Sequence, residues 1–338
     1  MQSLNRRRFL KHAGAALGGL LLPLEYLPCD DVFVRPAPST LGRIATWWQQ
    51  TVRVKPDPHS EIVTYLSRDE IIPLYAAVDG VAPWPSNAVW YQTDGGYIHS
   101  GYVYPSEDRP NPEVISDVEA PGFWAEVVVP IGWARSNPES EYTARKLYYG
   151  TVYRVVGAVQ DAHGEWWYQL QEGIMLSPGP YLPANNLRRI TPEELAPLSP
   201  ERTDKRIEIN IDVQLLKCYE GNELVFFTRI GSGHYNTATP RGEFTVLFKR
   251  HAQRMIGGEG DDYYDLPGIA FPTYFTYSGV AIHGTYWHND YGRRHSHGCV
   301  NVTNEAARWV FRWATPVAPY ETFKVDAENG NGTRVVVV

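Results

Sequence analysis

The chain is poor in sulfur, with three cysteines and three methionines in 338 residues. Three cysteines do not make a disulfide framework, so folding must rest on packed cores. No Cys-x-x-Cys pair and no His-Glu-x-x-His occurs, which removes the common zinc spacings. Ser296 lacks the Gly-x-Ser-x-Gly surround that would strain a serine into an exposed elbow. No apolar run convincingly reaches the about 20 residues of a membrane-spanning helix. Beyond the N-terminus there is no basic stripe, and the net charge is −7, which argues against a nucleic-acid binder.

What is present points to folded, strand-rich domains. Hydrophobic residues make up 43% and aromatics 13%, with 26 Pro and 29 Gly marking many turns. The length predicts two or three domains. Residues 1–29 read as an export segment. Asn5-Arg6-Arg7-Arg8-Phe9-Leu10-Lys11 is close to the twin-arginine pattern, and a Gly-, Ala- and Leu-rich stretch follows at 13–24. The other reading is a basic N-terminal helix of a cytoplasmic protein. No Ala-x-Ala site follows and Pro28 precedes Cys29, so an uncleaved membrane tether stays open.

Proline-bearing linkers at 30–42, 105–122 and 191–205 divide the rest. Between them lie strand-rich blocks at 43–104 and 123–190. Trp90-Tyr91-Gln92 in the first matches Trp167-Tyr168-Gln169 in the second, and two other landmarks repeat at offsets of 80 and 81. This pattern resembles a duplicated bacterial SH3-like barrel, which implies either cell-wall contact or a spacer.

From 206 the pattern changes. Arg206-Ile-Glu-Ile-Asn-Ile-Asp-Val alternates with period two, as a half-buried strand does. Runs at 215–219 and 224–230 flank Glu220-Gly221-Asn222-Glu223 and predict a hairpin. Residues 243–248, 273–282 and 333–338 read as further strands. Thr303 can cap a helix carrying Ala306, Trp309, Val310 and Trp313 on one face, ended by Pro316. The fold class expected is mainly β, with a β-sandwich C-terminal domain at 206–338 and a short helix after Cys299.

Four of the ten histidines (His283, His288, His295, His297) and Cys299 crowd into 281–302. A thiol nucleophile needs a nearby imidazole base and backbone N–H groups for an oxyanion, and Gly298 lets a carbonyl approach closely. A metal site and a set of buried structural histidines are the competing readings. The first fits the spacing poorly, and the second is the default for His288 and His295. The site is expected to hold no metal and no cofactor.

Ile282-His283-Gly284-Thr285 followed by Ser296-His297-Gly298-Cys299-Val300-Asn301 resembles the signature of the L,D-transpeptidase (YkuD-like) catalytic domain. Gly231-Ser232-Gly233, Thr239-Pro240-Arg241-Gly242-Glu243-Phe244 and the stretch from Asp265 to Phe275 are similar to further family segments. The resemblance covers about 206–338. It implies Cys299 as nucleophile, His283 as base and the Gly284 carbonyl as its orienting group. It implies a pocket shaped by His297 and Gly298, with the Ser296 hydroxyl behind it. It implies a substrate-binding Asn301, which matches the version of the motif with Asn where other members carry Arg, and Arg293 or Arg294 are candidates for a substrate carboxylate. The implied partners are peptidoglycan stem peptides as donor and acceptor, in the cell envelope. With water as acceptor the same site would be a carboxypeptidase. A non-catalytic wall-binding protein is the other alternative.

Overall fold

A computed structural model describes residues 40–171, 179–260, 263–328 and 330–338. The export segment expected at 1–29, Cys29 included, lies outside them. The described chain is mainly β, in several sheets with no closed barrel. This differs from the small barrels expected for the N-terminal blocks. The first block divides its strands between two sheets, and the second places seven in one.

In the first block Thr40–Ile44 lies between Ile71–Leu74 and Val103–Ser106. Gln50–Arg53, Ile62–Leu66, Ala76–Trp84, Asn87–Thr93 and Gly96–His99 form the other sheet. Ile44, Leu74, Tyr91, Ile98 and Val103 make its core. Two expected linkers are shorter than composition indicates. Residues 40–42 are already strand, and Pro105 pairs with Gly42. Val103–Ser106 is an edge strand, where a proline's missing N–H is tolerated.

The second block runs from Phe123–Val127 to Leu187–Arg189 around Ala125, Leu147, Val155, Tyr168 and Leu182. The following linker is not bare coil. Thr191 and Glu194 bond reciprocally around a 3-10 turn at Glu193–Leu195, a capping box written as Thr-x-x-Glu.

The C-terminal segment carries two five-stranded sheets. The first runs Glu223–Arg229, Leu215–Glu220, Lys205–Asn210, Arg334–Val337, Gly242–Thr245, so the predicted hairpin at 215–229 is present. The second runs Val300–Val302, Ala281–Gly284, Thr273–Tyr274, Phe248–Arg250, Lys324–Asp326. Two expected single strands are each split. At 273–282 a turn intervenes: Thr276 Oγ1 accepts the Val280 N–H at 2.9 Å, and Gly279 takes a positive φ of 93°. At 243–248 the chain leaves one sheet for the other between Thr245 and Phe248.

The helix Asn304–Trp313 forms as its sequence predicts. Thr303 Oγ1 accepts the Ala306 N–H at 3.2 Å, and Ala306, Ala307, Val310, Phe311 and Trp313 face the core. Its last carbonyls are buried and need donors. Lys249 Nζ gives them, to Phe311 at 2.7 Å and Ala314 at 2.6 Å, and Lys205 Nζ reaches Trp313 at 2.7 Å. Amine donors suit the negative end of a helix, although burial and then Lys205 pull the Lys249 pKa down to about 7.

Candidate active site

Ala281–Gly284 and Val300–Val302 are neighbours in a parallel ladder, with Ile282 opposite Val300 and His283 opposite Asn301. Both are fully buried, as the run of Val, Ile and Ala requires. The ladder fixes the two half-motifs beside each other. Cys299 ends the intervening loop one residue before Val300, beside the start of the strand that carries His283.

The Cys299 thiol is partly buried, 3.7 Å from the Gly279 carbonyl. Burial pushes its pKa up to about 11, against a hydrogen bond from the Ala281 backbone. His283 is 2% exposed, with Nδ1 2.9 Å from the Gly284 carbonyl. Since a carbonyl only accepts, Nδ1 carries the proton and Nε2 keeps its lone pair. Burial pulls the His283 pKa down to about 4, partly opposed by that carbonyl. At neutral pH the pair is therefore thiol and neutral imidazole. No hydrogen bond joins them among the described residues.

The turn before the thiol is held from several sides. Ser296 Oγ accepts the Gly298 N–H at 3.1 Å and donates to the Cys299 carbonyl. Gly298 has φ of 122°, a conformation that favours glycine. Thr239 Oγ1 joins the Gly233 N–H at 3.0 Å to the Gly298 carbonyl at 2.8 Å. The N–H groups of His295 and Ser296 both reach the Ser232 carbonyl. A Cβ on Gly233 would lie 2.8 Å from the Gly298 Cα, so the backbones touch there. The Gly-Ser-Gly and Thr-Pro segments are thus the bed of the thiol turn.

His297 is exposed and packs on Tyr264, ring centroids 5.2 Å apart. Tyr264 and Tyr274 both sense the charge of Cys299, which adds to burial in raising their pKa values. They line the site with His297, and neither was singled out in the sequence.

The other expected residues have protein partners. Asn301 is fully buried, with its amide Nδ2 3.0 Å from His288 Nε2. Arg294 donates to the carbonyls of Gly233 and Ile211 at 3.3 and 3.2 Å. Arg293 meets Asp290 at 3.2 Å and lies over the Trp84 ring at 4.0 Å. Asn301, Arg293 and Arg294, the residues expected toward substrate, thus each have protein partners, and the Arg293 side chain stays 42% exposed. His288 is buried and stacks on His295, centroids 4.4 Å apart, and burial holds its pKa well below the usual range. Among the described residues no three His, Cys, Asp or Glu side chains converge as metal ligands. Cys218 is buried in the core with its pKa well raised, and it forms no disulfide among the described residues.

Residues 204–337 match the YkuD family model, the L,D-transpeptidase catalytic domain. The chain is also similar to solved structures. An Enterococcus faecium L,D-transpeptidase is 27% identical, covering 40% of this chain and 50% of that one, with TM-score 0.33. A Xylanimonas cellulosilytica L,D-transpeptidase is 28% identical, covering 40% and 61%, with TM-score 0.29. The chain thus spans 50% and 61% of these two proteins. An L,D-transpeptidase from Mycobacterium smegmatis is 14% identical, covering 78% and 99%, with TM-score 0.34. No curated protein matches the chain.

Proposed function

We propose that the YkuD segment is a cysteine L,D-transpeptidase acting on peptidoglycan stem peptides. The observation that carries this reading is the parallel pairing of Ala281–Gly284 with Val300–Val302. In that pairing the strand that follows Cys299 runs alongside the strand carrying His283, whose Nδ1 lies 2.9 Å from the Gly284 carbonyl, and this supports the reading. His283 Nε2 takes the thiol proton as Sγ attacks the carbonyl between an L-centre and the terminal D-residue of the stem. Backbone N–H groups beside Cys299 receive the oxyanion, and the thioester forms as the terminal D-residue leaves with the proton. An amine of a second stem then attacks the thioester and restores the thiol. Water in place of that amine would make the site a carboxypeptidase.

The twin-arginine pattern at 5–11 accords with export, which places the thiol at the wall. The N-terminal blocks, bounded at about 43–104 and 123–190, offer wall contact through side chains such as Trp47 and Trp48, 68% and 66% exposed. The reaction as written needs no cofactor.

Mass spectrometry of the full chain with a defined tetrapeptide stem, with and without an acceptor amine, tests the reading. Release of the terminal D-residue and a thioester adduct on Cys299 are expected, and both should disappear in Cys299→Ala. Undiminished release from that variant would sink the assignment.

A further inference from the structure

Asp290 is the one carboxylate in the loop between the two half-motifs, although nothing in its sequence neighbourhood marks it. It is 2% exposed. Its Oδ2 lies 2.8 Å from His295 Nε2 and 3.2 Å from Arg293 Nη1. Its Oδ1 accepts a 3.0 Å hydrogen bond from the Trp84 indole N–H, a donor 206 residues away at the end of the strand Ala76–Trp84. The same indole ring lies under the Arg293 guanidinium at 4.0 Å. A buried carboxylate holding three donors is fixed in several directions, since losing any one leaves an oxygen of a buried charge short of a partner.

That fixation reaches the site by contact. His295 stacks on His288 at 4.4 Å, and His288 lies 3.0 Å from the Asn301 amide. Asn301 is the ladder partner of His283 and stands two residues after Cys299. Its backbone exchanges both hydrogen bonds with Gly231, at 2.8 and 2.9 Å. The N-terminal block meets the same loop at neighbouring points. Asn289 Nδ2 reaches Tyr91 Oη at 3.1 Å, and a Cβ on Gly101 would lie 3.1 Å from the Asp290 side chain.

We propose that Asp290 is a positioning residue for the Cys299–His283 pair, and that the N-terminal block, through Trp84, supplies part of its support. The block then does more than connect or bind wall: the catalytic loop is finished by a strand outside the YkuD segment. This rests on the reading of Cys299 as nucleophile. Misplacement of reacting groups by about 1 Å costs up to about a hundredfold in rate, and a partial loosening costs less.

The test uses the full chain with Trp84→Phe, which keeps the ring under Arg293 and removes the N–H, with Asp290→Asn, and with the double variant. Each single variant is expected to lower kcat for release of the terminal D-residue about tenfold with KM within about twofold. The double variant should be no slower than Asp290→Asn, because both changes break one network. Alkylation by iodoacetamide, located at Cys299 by peptide mapping, should change by at least about threefold in Asp290→Asn. Unchanged kcat and unchanged alkylation would overturn the proposal, as would multiplicative effects in the double variant. So would a loss that merely follows the unfolding midpoint and vanishes on cooling. Alkylation needs no stem peptide, so it decides the role of Asp290 even if Cys299→Ala shows the nucleophile assignment to be mistaken.

Discussion

His283 and Asn301 sit opposite each other in a parallel ladder, although eighteen positions separate them in the chain. The pairing, rather than the length of the loop between them, sets where the thiol stands. Parallel neighbours need a crossover between them, and here the crossover is the loop that Asp290 and Ser232 tie down.

The protonation states predict an unusual pH dependence. His283 must be neutral to act as base, and its pKa is pulled down to about 4 while that of Cys299 is pushed up to about 11. Acylation of Cys299 should therefore fall as pH drops through about 4 and hold level to the alkaline side of neutrality. Iodoacetamide needs thiolate, so its rate should instead climb about tenfold per pH unit toward 11. Parallel profiles for the two reagents would show that a preformed ion pair, not general base catalysis, does the chemistry.

Gly233→Ala should disable the site without touching a reacting group. The added Cβ would meet the Thr237 carbonyl at 2.2 Å and the Gly298 Cα at 2.8 Å, both backbone. Something must move, at a cost of about 1–3 kcal/mol, and what moves carries Cys299. Stem turnover should fall at least about tenfold, as measured against unfolding by urea; wild-type turnover in a destabilised protein would contradict this.

His251 predicts acid sensitivity of the fold. It is 1% exposed, stacked on Trp124 at 4.6 Å, and neither ring nitrogen has a hydrogen bond of good geometry. Burial first, then Lys249 and Arg154, pull its pKa to about 3, although the Thr322 backbone favours the charged form. The unfolded chain binds this proton near pH 6.5 and the folded chain only near 3. Stability from this group is therefore complete above 6.5 and declines as pH falls through that window. The loss amounts to about 2 kcal/mol at pH 5. His251→Phe keeps the ring and should flatten the decline in thermal melts between pH 7 and pH 5.

Lys249→Met should destabilise the helix end. It leaves the Phe311 and Ala314 carbonyls without their donor in the core. An unpaired buried acceptor costs about 1–3 kcal/mol, to be read as a lower midpoint in denaturant with an unchanged slope. Lys249→Arg should restore part of it if the charge at the helix end matters.

Local features of this chain are written locally. The Thr303 cap, the apolar face from Ala306 to Trp313 and the hairpin turn at 221–222 follow from residues three or four positions apart. The half-motifs around His283 and Cys299 were legible for the same reason. Asp290 was not, because a lone acidic residue in a polar loop reads as solvated and its donor lies 206 positions upstream. The division at 273–282 was missed since Thr276 and Gly279 make a turn inside an otherwise apolar run. The sheet order was beyond reach too: neighbouring strands there come from opposite ends of the segment.

That order has a consequence for assembly. Arg334–Val337 lies between Lys205–Asn210, which it joins in parallel, and Gly242–Thr245, which it joins antiparallel. Such distant partners pay loop closure before any contact rewards it, which makes the step slow. Until it is taken, the hairpin from 205 and the strand at 242 each present a bare edge, and bare edges recruit other chains. The competition between this one insertion and self-association sets how much refolded protein survives at high concentration.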